Sequence, residues 1–378
     1  MDPKAILGCA GSRSEWIRST LRDLVLQESP SEDRLAVNAA VALVEGHAQS
    51  LGASVRRHGQ NQFGDILELR FDPAHSMHKP ILLLGHLDTV WPMGTLATMP
   101  WRETDGRYWG PGVFDMKAGV VMALAAVSIL QELGLDRPVR LLLNSDEEIG
   151  SPASWQITEE LALASSAVFV LEPAQGLAYK TARKGVGQYT VRVTGVAAHS
   201  GVDFEHGHSA VVELAKLVQT ISGFTDLSVQ RTVNCGVIAG GTRSNVVAQH
   251  ASAEVDVRIA RASDATRVEK LFRRLKVSDP HCRLEIVGGI NRPPMERKTG
   301  TIALFKRAKA LAAELGFELD EASTGGGSDG NFTAALGIPT LDGMGAVGEG
   351  AHAAHEHVVV EHLVPRTALL AAMMASAD

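Results

Sequence analysis

The chain has 378 residues, of which 45% are hydrophobic and 21% are charged, with 37 glycines and 15 prolines. This composition excludes wholesale disorder, a collagen-like repeat and a disulfide scaffold, and the length predicts about two domains. With 36 Lys and Arg against 43 Asp and Glu, the formal net charge is −7. We therefore expect no nucleic-acid partner and no anionic membrane partner.

The cellular compartment is inferred from the thiols and from the N-terminal residues. Cys9, Cys235 and Cys282 are an odd, scattered set without CxxC spacing, which favours a reducing compartment. No basic region followed by an apolar stretch opens the chain, so we expect no signal peptide and a cytoplasmic location. The longest apolar stretch, residues 118–130, is shorter than the ~20 residues that span a bilayer, which predicts a buried helix.

The first part of the chain alternates helices with continuous apolar strands. The predicted helices cover residues 15–27, 37–51, 117–133 and 152–163, and Ser31 is the predicted cap of the second one. The predicted strands cover residues 66–71, 80–85, 139–143 and 167–171. Apolar strands separated by helices indicate an α/β fold: a mostly parallel sheet with helices on both faces.

The pattern changes near residue 184. Residues 189–194 alternate apolar and polar side chains, as in a half-exposed antiparallel strand. A helix, two strands, a helix and a strand follow, at 209–222, 232–238, 251–259, 264–275 and 283–287, which predicts an inserted two-layer α+β module. A helix at 301–315, a strand at 338–341 and a helix at 365–375 complete the chain. The predicted divisions are 1–183, 184–292 and 293–378.

Ionisable residues follow the predicted strands at the point where each strand ends. His86 and Asp88 follow the strand at 80–85, Glu147 and Glu148 follow the strand at 139–143, and Glu172 follows the strand at 167–171. Asp115 lies in a glycine-rich turn that opens the long helix. Ligands of open α/β sheets bind outside the carboxyl ends of the strands. The side chains therefore predict two divalent metal sites, with zinc as the favoured metal.

Seven short motifs in this order resemble the dizinc aminoacylase/carboxypeptidase family, which includes glutamate carboxypeptidase, acetylornithine deacetylase and succinyl-diaminopimelate desuccinylase. The resemblance covers essentially the whole chain and implies a zinc-exopeptidase-like fold. The motifs are Gly85-His86-Leu87-Asp88-Thr89-Val90, Gly110-Pro-Gly-Val-Phe-Asp115-Met-Lys-Ala-Gly119, Asp146-Glu147-Glu148-Ile149-Gly150-Ser151, Glu172-Pro173, His199-Ser200-Gly201, Gly325-Gly-Gly-Ser-Asp329 and Gly350-Ala-His352.

The resemblance implies a role for each residue of the metal site. Asp115 would bridge two metal ions, one completed by His86 and Glu172 and the other by Glu148 and His352; Co²⁺ and Mn²⁺ fit the same donors as Zn²⁺. Asp88 would orient the His86 ring, and Glu147 would be the general base. His355 stays an alternative to His352. A cis peptide between Asp115 and Met116 is also implied.

The inserted module resembles the lid and dimerisation domain of that family. The resemblance implies a homodimer in which His199 reaches the partner's site and stabilises the oxyanion. Asn245, Arg258 and Arg292 would bind a substrate carboxylate, because the arginine fork matches two carboxylate oxygens. Gly326 and Gly327 would donate backbone N–H groups to the same carboxylate.

The predicted function is hydrolysis of an amide bond beside a free carboxylate in a small peptide, as in glutamate carboxypeptidase. Deacylation of an N-acyl amino acid is an alternative that uses the same machinery. Two alternatives belong to other classes. A serine hydrolase would use Ser328 in a GxSxG pattern, with Asp342 and His352 following in hydrolase order. A non-catalytic protein would bind a carboxylate ligand without turning it over.

Overall fold

A computed structural model describes residues 2–73, 76–135 and 137–376. Its helices are α1 Pro3–Ser12, α2 Ser14–Leu26, α3 Arg34–Ser50, α4 Ala118–Glu132, α5 Trp155–Leu163, α6 Ala210–Ser222, α7 Ala262–Arg273, α8 Thr299–Glu314, α9 Gly330–Ala335 and α10 Val360–Ser376. Its strands are β1 Ser54–His58, β2 Ile66–Phe71, β3 Ile81–His86, β4 Arg102–Thr104, β5 Arg107–Trp109, β6 Val139–Asn144, β7 Ala167–Val170, β8 Ala178–Arg183, β9 Gly185–Thr194, β10 Thr232–Gly240, β11 His250–Ile259, β12 Arg283–Arg292, β13 Asp320–Thr324, β14 Thr340–Leu341, β15 Gly348–Glu349 and β16 His357–Val359.

The chain divides into two compact units. We call the first the core unit; it comprises Met1–Ala182, Arg297–Ser323 and Ser328–Asp378. The second, the insert unit, comprises Arg183–Glu296 together with Thr324–Gly327. The glycine-rich segment after β13 therefore belongs to the insert unit, although it lies far from the rest of that unit in the sequence.

The main sheet of the core unit has the strand order β1-β2-β6-β3-β7-β14. Strands β6, β3, β7 and β14 are parallel neighbours, and β2 runs antiparallel to β1 and β6. The predicted α/β class with a mostly parallel sheet is confirmed. The structure adds β1, the pair β13-β8 and a small sheet, β15-β16-β5-β4, none of which the sequence pattern predicted. The strands of the small sheet have only two or three residues, too few for a periodic pattern.

Both faces of this sheet are covered, which explains why its strands lack polar alternation. On β3, Ile81 and Leu83 pack in one apolar cluster with residues of α1 to α4, α8 and α10. Leu82 and Leu84 pack in another cluster with residues of α5. Each strand therefore presents alternate apolar side chains to opposite layers, and an uninterrupted apolar run satisfies both.

Helix α4 is apolar on every side because the sheet and other helices surround it. Its side chains share a cluster with residues of α1, α2 and α10. Among the described residues, Val113–Glu132 is the one helical segment long and apolar enough to cross a membrane, and 89% of its most apolar window is buried inside the protein. The predicted buried helix at 118–130 is confirmed.

The start of α3 differs from the prediction. Asp33, not Ser31, caps this helix, because its carboxylate accepts the backbone N–H groups of Leu35 and Ala36 at 3.0 Å. The Ser31 hydroxyl instead donates to the Asp88 carboxylate at 2.7 Å. A long-range partner therefore overrides the local capping preference of serine.

The insert unit is a two-layer α+β module. Its antiparallel sheet has the order β10-β11-β9-β12, and the apolar sides of α6 and α7 cover one face. Tyr189, Val191 and Val193 of β9 point into this core, where the Tyr189 ring stacks on Phe272 with centroids 3.8 Å apart. The predicted period of two along residues 189–194 is confirmed, and β10 and β12 are the edge strands.

Gly119 provides a test of how tightly α4 packs against the end of β7. A Cβ atom at this position would lie 2.1 Å from the Leu171 carbonyl oxygen, one residue before Glu172. Because backbone atoms must move, we expect Gly119→Ala to lower the free energy of unfolding by about 1–3 kcal/mol. Urea denaturation monitored by circular dichroism measures this change.

Gly46 is the matched control because it also lies inside a helix, and no atom within 4 Å opposes an added Cβ. We expect Gly46→Ala to raise the free energy of unfolding by about 0.5–1 kcal/mol. If Gly119→Ala were as stable as Gly46→Ala, the close contact between α4 and β7 would be wrong.

Candidate active site

Three of the five predicted metal ligands lie at the carboxyl ends of parallel strands in the core unit. His86 is the last residue of β3, Glu172 follows β7, and Glu148 lies in a short turn after β6. Strand β3 is the parallel neighbour of both β6 and β7, so the three carboxyl ends meet at one edge. The topology thus brings together residues that are far apart in the sequence.

Asp115 lies between two imidazoles. His86 Nε2 is 3.4 Å from Asp115 Oδ1 and 3.7 Å from Glu172 Oε1. His352 Nε2 is 3.5 Å from Asp115 Oδ2 and 3.2 Å from Glu148 Oε2. One carboxylate oxygen of Asp115 therefore faces each histidine, and each histidine has a second acid beside it.

The cluster concentrates negative charge. Potential ligand atoms of His86, Asp115 and Glu148 lie within 4.8 Å of one another, and so do those of His86, Glu147 and Glu172. At this separation, two carboxylates repel each other by roughly 3 kcal/mol with an effective dielectric constant of about 20. An exposed ion pair contributes only about 0–1 kcal/mol. A cation held inside the cluster would offset this repulsion.

In this cluster, the carboxylates favour the protonated forms of the two histidine rings. Burial alone would lower the pKa of His86, but the carboxylates of Asp115 and Asp88 raise it well above its usual value. The Asp115 and Glu148 carboxylates raise the pKa of His352 to about 10. Burial would raise the pKa of Asp115, yet His352 and His86 lower it, whereas burial raises the pKa of Glu148.

Unsatisfied buried atoms show that these donors fit a metal ion. His86 Nε2, Asp115 Oδ1 and Glu148 Oε1 are buried and have no hydrogen-bond partner among the described residues. An unmade hydrogen bond at a buried polar atom costs about 1–3 kcal/mol. These atoms belong to one cluster, and imidazole nitrogen and carboxylate oxygen are ligands that Zn²⁺ accepts.

Asp88 contacts both the His86 ring and the backbone of Glu147 and Glu148. His86 Nδ1 lies 2.9 Å from the backbone carbonyl oxygen of Asp88 and 3.4 Å from its carboxylate. A bond from Nδ1–H to the carbonyl oxygen directs Nε2 toward Asp115. The Asp88 carboxylate accepts the backbone N–H groups of Glu147 and Glu148 at 3.2 Å, and it also accepts the Ser31 hydroxyl. The Ser31 contact had no signal in the sequence.

The loop that carries Asp115 requires glycine. Gly112 has φ +70°, and a Cβ there would lie 2.6 Å from Thr89 Cγ2. The Asp115–Met116 peptide is cis, as the family resemblance implies.

Sequence reasoning missed Glu356, a buried acid whose carboxylate accepts the Asp115 N–H at 3.0 Å. Its signal was an acidic residue between two histidines of a candidate metal motif.

The structure distinguishes the two candidate histidines of the C-terminal motif. Among the described side-chain contacts, it is the His352 ring and not the His355 ring that lies beside Asp115 and Glu148. His352 adopts φ +61°, a left-handed conformation that disfavours residues other than glycine. Its side chain remains 52% exposed, so solvent and small molecules reach this side of the cluster. His355 contacts His357 through its main chain: the His355 carbonyl oxygen lies 2.9 Å from His357 Nδ1.

His199 and Asn245 are neighbours within the insert unit. His199 forms an antiparallel bridge with Val246, and the Ser200 N–H donates to the Asn245 carbonyl oxygen at 3.0 Å. The Gly201 N–H donates to His199 Nδ1 at 3.1 Å. The two predicted residues are thus held on adjoining segments, with His199 Nε2 directed away from that hydrogen bond.

The predicted substrate arginines lie beside the glycine-rich segment of the insert unit. Arg258 makes two bonds of 2.9 Å with Asp256, so a substrate carboxylate would compete with that ion pair. Arg292 is 4% exposed, and a Cβ on Gly327 would lie 3.2 Å from its Cδ. Sequence reasoning missed Arg183, which donates to the carbonyl oxygens of Gly326 and Gly327. The Gly326 N–H lies 3.4 Å from Thr324 Oγ1.

The burial and hydrogen bonds of Ser328 indicate a structural role. It is fully buried, its hydroxyl donates to Asp342 Oδ2 at 2.6 Å, and its oxygen accepts the Gly330 N–H at 3.1 Å. A serine nucleophile needs an exposed hydroxyl beside a general base such as histidine. The GxSxG pattern here stabilises the start of α9, and the serine-hydrolase alternative is wrong.

Sequence comparisons with known proteins cover most of the chain. Residues 82–376 match the model of Peptidase family M20/M25/M40. Carboxypeptidase G2 of Pseudomonas sp. (strain RS-16) is 30% identical over 369 residues, which cover 94% of this chain and 87% of that protein.

Solved structures show the same fold. A tripeptidase from Staphylococcus aureus subsp. aureus mu50 has a TM-score of 0.81 at 20% identity, over 96% of this chain and 98% of that one. A metallo-carboxypeptidase from Sulfolobus solfataricus has a TM-score of 0.77 at 17% identity, over 95% and 98% of the two chains.

Replacing His352 tests the C-terminal side of the cluster. We expect His352→Ala to lower zinc affinity at that side at least about tenfold, because removing even a supporting group of a metal site costs 10–100-fold. His355→Ala is the matched control and should bind zinc like the wild type. Competition with a fluorescent chelator, combined with elemental analysis, measures both. Weak binding by His355→Ala with normal binding by His352→Ala would reverse the assignment.

Proposed function

The chain belongs to Peptidase family M20/M25/M40 and is a metal-dependent hydrolase. We propose that it cleaves an amide bond beside a free carboxylate and that it uses two zinc ions. The observation that carries this proposal is the position of Asp115 between two imidazole–carboxylate pairs. Similarity to carboxypeptidase G2 along most of both chains supports the choice of a bond beside a carboxylate.

Five side chains of the core unit would hold the metal ions. Asp115 would take part in both metal sites. His86 and Glu172 would complete one site, and Glu148 and His352 would complete the other. When bound, such a pair of ions lowers the pKa of a water molecule and polarises the scissile carbonyl group.

Glu147 would be the general base. It lies in the group of potential ligand atoms formed with His86 and Glu172, but it is adjacent in sequence to the ligand Glu148. Its carboxylate would accept a proton from the attacking water and then pass it to the departing amine nitrogen. The Asp88 carboxylate accepts the backbone N–H groups of Glu147 and Glu148. It would therefore fix the position of the base relative to that of the neighbouring ligand.

The insert unit would bind the carboxylate of the substrate. Arginine donors and the backbone N–H groups of glycine suit a carboxylate. Buried Arg292 and Arg183 beside the glycine-rich segment support a binding region there. The predicted set is Asn245, Arg258, Arg292, Gly326 and Gly327. We further propose that residues 184–292 form a lid and dimerisation domain.

The homodimer and the cytoplasmic location are parts of the same proposal. Strand β10 is an edge of the insert-unit sheet, and Val237 and Ile238 on it are 54% and 58% exposed. An exposed apolar edge strand is a ready template for pairing with a second chain. Cys9, Cys235 and Cys282 are free thiols, which favours a reducing compartment.

Replacing Glu147 tests the proposed hydrolysis. The wild type loaded with zinc should release glutamate from an N-acyl glutamate or from a dipeptide that ends in glutamate. We expect Glu147→Gln to lower kcat by about 10²–10⁴-fold, because the amide cannot accept the proton, while zinc content is retained. Mass spectrometry of the products gives the rate.

The matched substrate is the same N-acyl amino acid with its α-carboxylate converted to a carboxamide. It should be cleaved at least roughly tenfold more slowly, because a charge-assisted pair is lost. Full activity of Glu147→Gln would contradict the role of the base, and equal cleavage of the two substrates would contradict recognition of the carboxylate.

Mixing two inactive variants tests whether His199 acts across a dimer. One variant carries His199→Ala and the other carries Glu147→Gln. After the subunits exchange, a mixed dimer contains one site with Glu147 from one chain and His199 from the partner. We expect roughly a quarter of wild-type activity from a statistical mixture. Activity no higher than that of the two parents, with dimer exchange verified by mass, would contradict the proposal.

A further inference from the structure

Glu356 is a fully buried carboxylate that the proposed mechanism does not use. It lies in the turn between His352 and β16, with 0% of its surface exposed. Burying an ionisable group is costly unless hydrogen bonds or charges compensate it. A buried acid one turn away from a proposed metal ligand therefore requires a specific set of partners.

Four N–H groups supply that compensation. Oε1 accepts the backbone N–H groups of Phe114 at 2.9 Å and Asp115 at 3.0 Å. Oε2 accepts the backbone N–H of Gly112 at 2.9 Å and the indole N–H of Trp91 at 2.7 Å. Both oxygens are thus engaged, and three of the four donors belong to the loop that carries Asp115.

This loop has little regular structure that could fix it otherwise. Gly110 and Gly112 adopt φ +155° and +70°, and Asp115 itself has φ −114° and ψ +95°, outside the helical region. Backbone N–H groups in such a segment lack the hydrogen bonds of a helix and need other acceptors when buried. The Glu356 carboxylate is the acceptor for the N–H of Asp115 itself.

The backbone of Glu356 makes a further connection between the two segments. Its carbonyl oxygen lies 3.4 Å from the Gly110 N–H, and its own N–H donates to the Ala353 carbonyl oxygen at 2.9 Å. Glu356 therefore contacts the Asp115 loop through its carboxylate and its carbonyl oxygen, and the turn after His352 through its backbone N–H.

We propose that Glu356 is a positioning residue that fixes the Asp115 loop and the His352 turn relative to each other, so that both present their side chains to the metal ions with the correct separation. This inference depends on the proposed metal ligands. It adds that the affinity for metal is set partly by a carboxylate that does not contact the metal. The supporting interaction passes through backbone N–H groups, which explains why the sequence of the loop alone does not reveal it.

Metal affinity of Glu356→Gln tests this proposal. The amide keeps one acceptor oxygen and turns the other position into a donor that faces N–H groups. We expect zinc affinity to fall about 10–100-fold, the usual effect of removing a group that supports metal ligands. Competition with a fluorescent chelator measures the affinity, and excess zinc should restore most of the hydrolytic rate. Glu356→Asp keeps the charge but shortens the reach, so it should give a smaller loss in the same direction.

Glu68→Gln is the matched control. Glu68 is also a fully buried acid of the core unit, but the described partners of its carboxylate are His58 and Arg70, neither of which is a proposed metal ligand. Its loss should lower thermal stability without changing zinc affinity. If Glu356→Gln and Glu356→Asp bind zinc like the wild type, or lose affinity only as much as Glu68→Gln, the positioning role is wrong.

The outcome is separable from that of the proposed function. Asp115→Asn removes a proposed ligand directly and should weaken zinc binding whatever the role of Glu356. If the wild type and Asp115→Asn bind zinc equally, the ligand assignment fails. If only Asp115→Asn differs from the wild type, the ligands stand and Glu356 has no positioning role.

Discussion

Repulsion among the carboxylates at the strand ends is the constraint on which the rest of the core unit depends. Asp115 from one loop, Glu148 after β6 and Glu172 after β7 lie close to His86, and carboxylates at such short separations repel one another. The fold holds them together by burying the strands in two apolar layers. A cation would offset these charges and engage the buried atoms that lack a hydrogen-bond partner.

Backbone N–H groups hold the acids that contact no metal. Asp88 accepts the N–H groups of Glu147 and Glu148, and Glu356 accepts those of the Asp115 loop. Each carboxylate is buried completely, so each interaction operates in a medium of low polarity where it is strong. The segments that carry the proposed ligands and base thus donate backbone N–H groups to two buried acids, Asp88 and Glu356.

The sequence predicted those features that follow from local pattern. Apolar runs identified β2, β3, β6 and β7, and the acids after them identified the edge at which the ligands meet, because parallel strands share their carboxyl ends. Features that depend on contacts between distant segments were not predicted. The Ser31 hydroxyl donates to Asp88 instead of capping α3. Glu356 accepts N–H groups from a loop some 240 residues earlier in the chain. The strands β4, β5, β15 and β16 are too short for a periodic pattern. Arg183 likewise gained meaning only through its contact with the glycine-rich segment.

The most direct test of this account is anomalous diffraction from crystals grown with zinc, recorded on both sides of the zinc absorption edge. We expect two peaks that share Asp115, one beside His86 and Glu172 and the other beside Glu148 and His352, about 3.5–4 Å apart. A single peak, or peaks at other residues with this cluster left without metal, would contradict it.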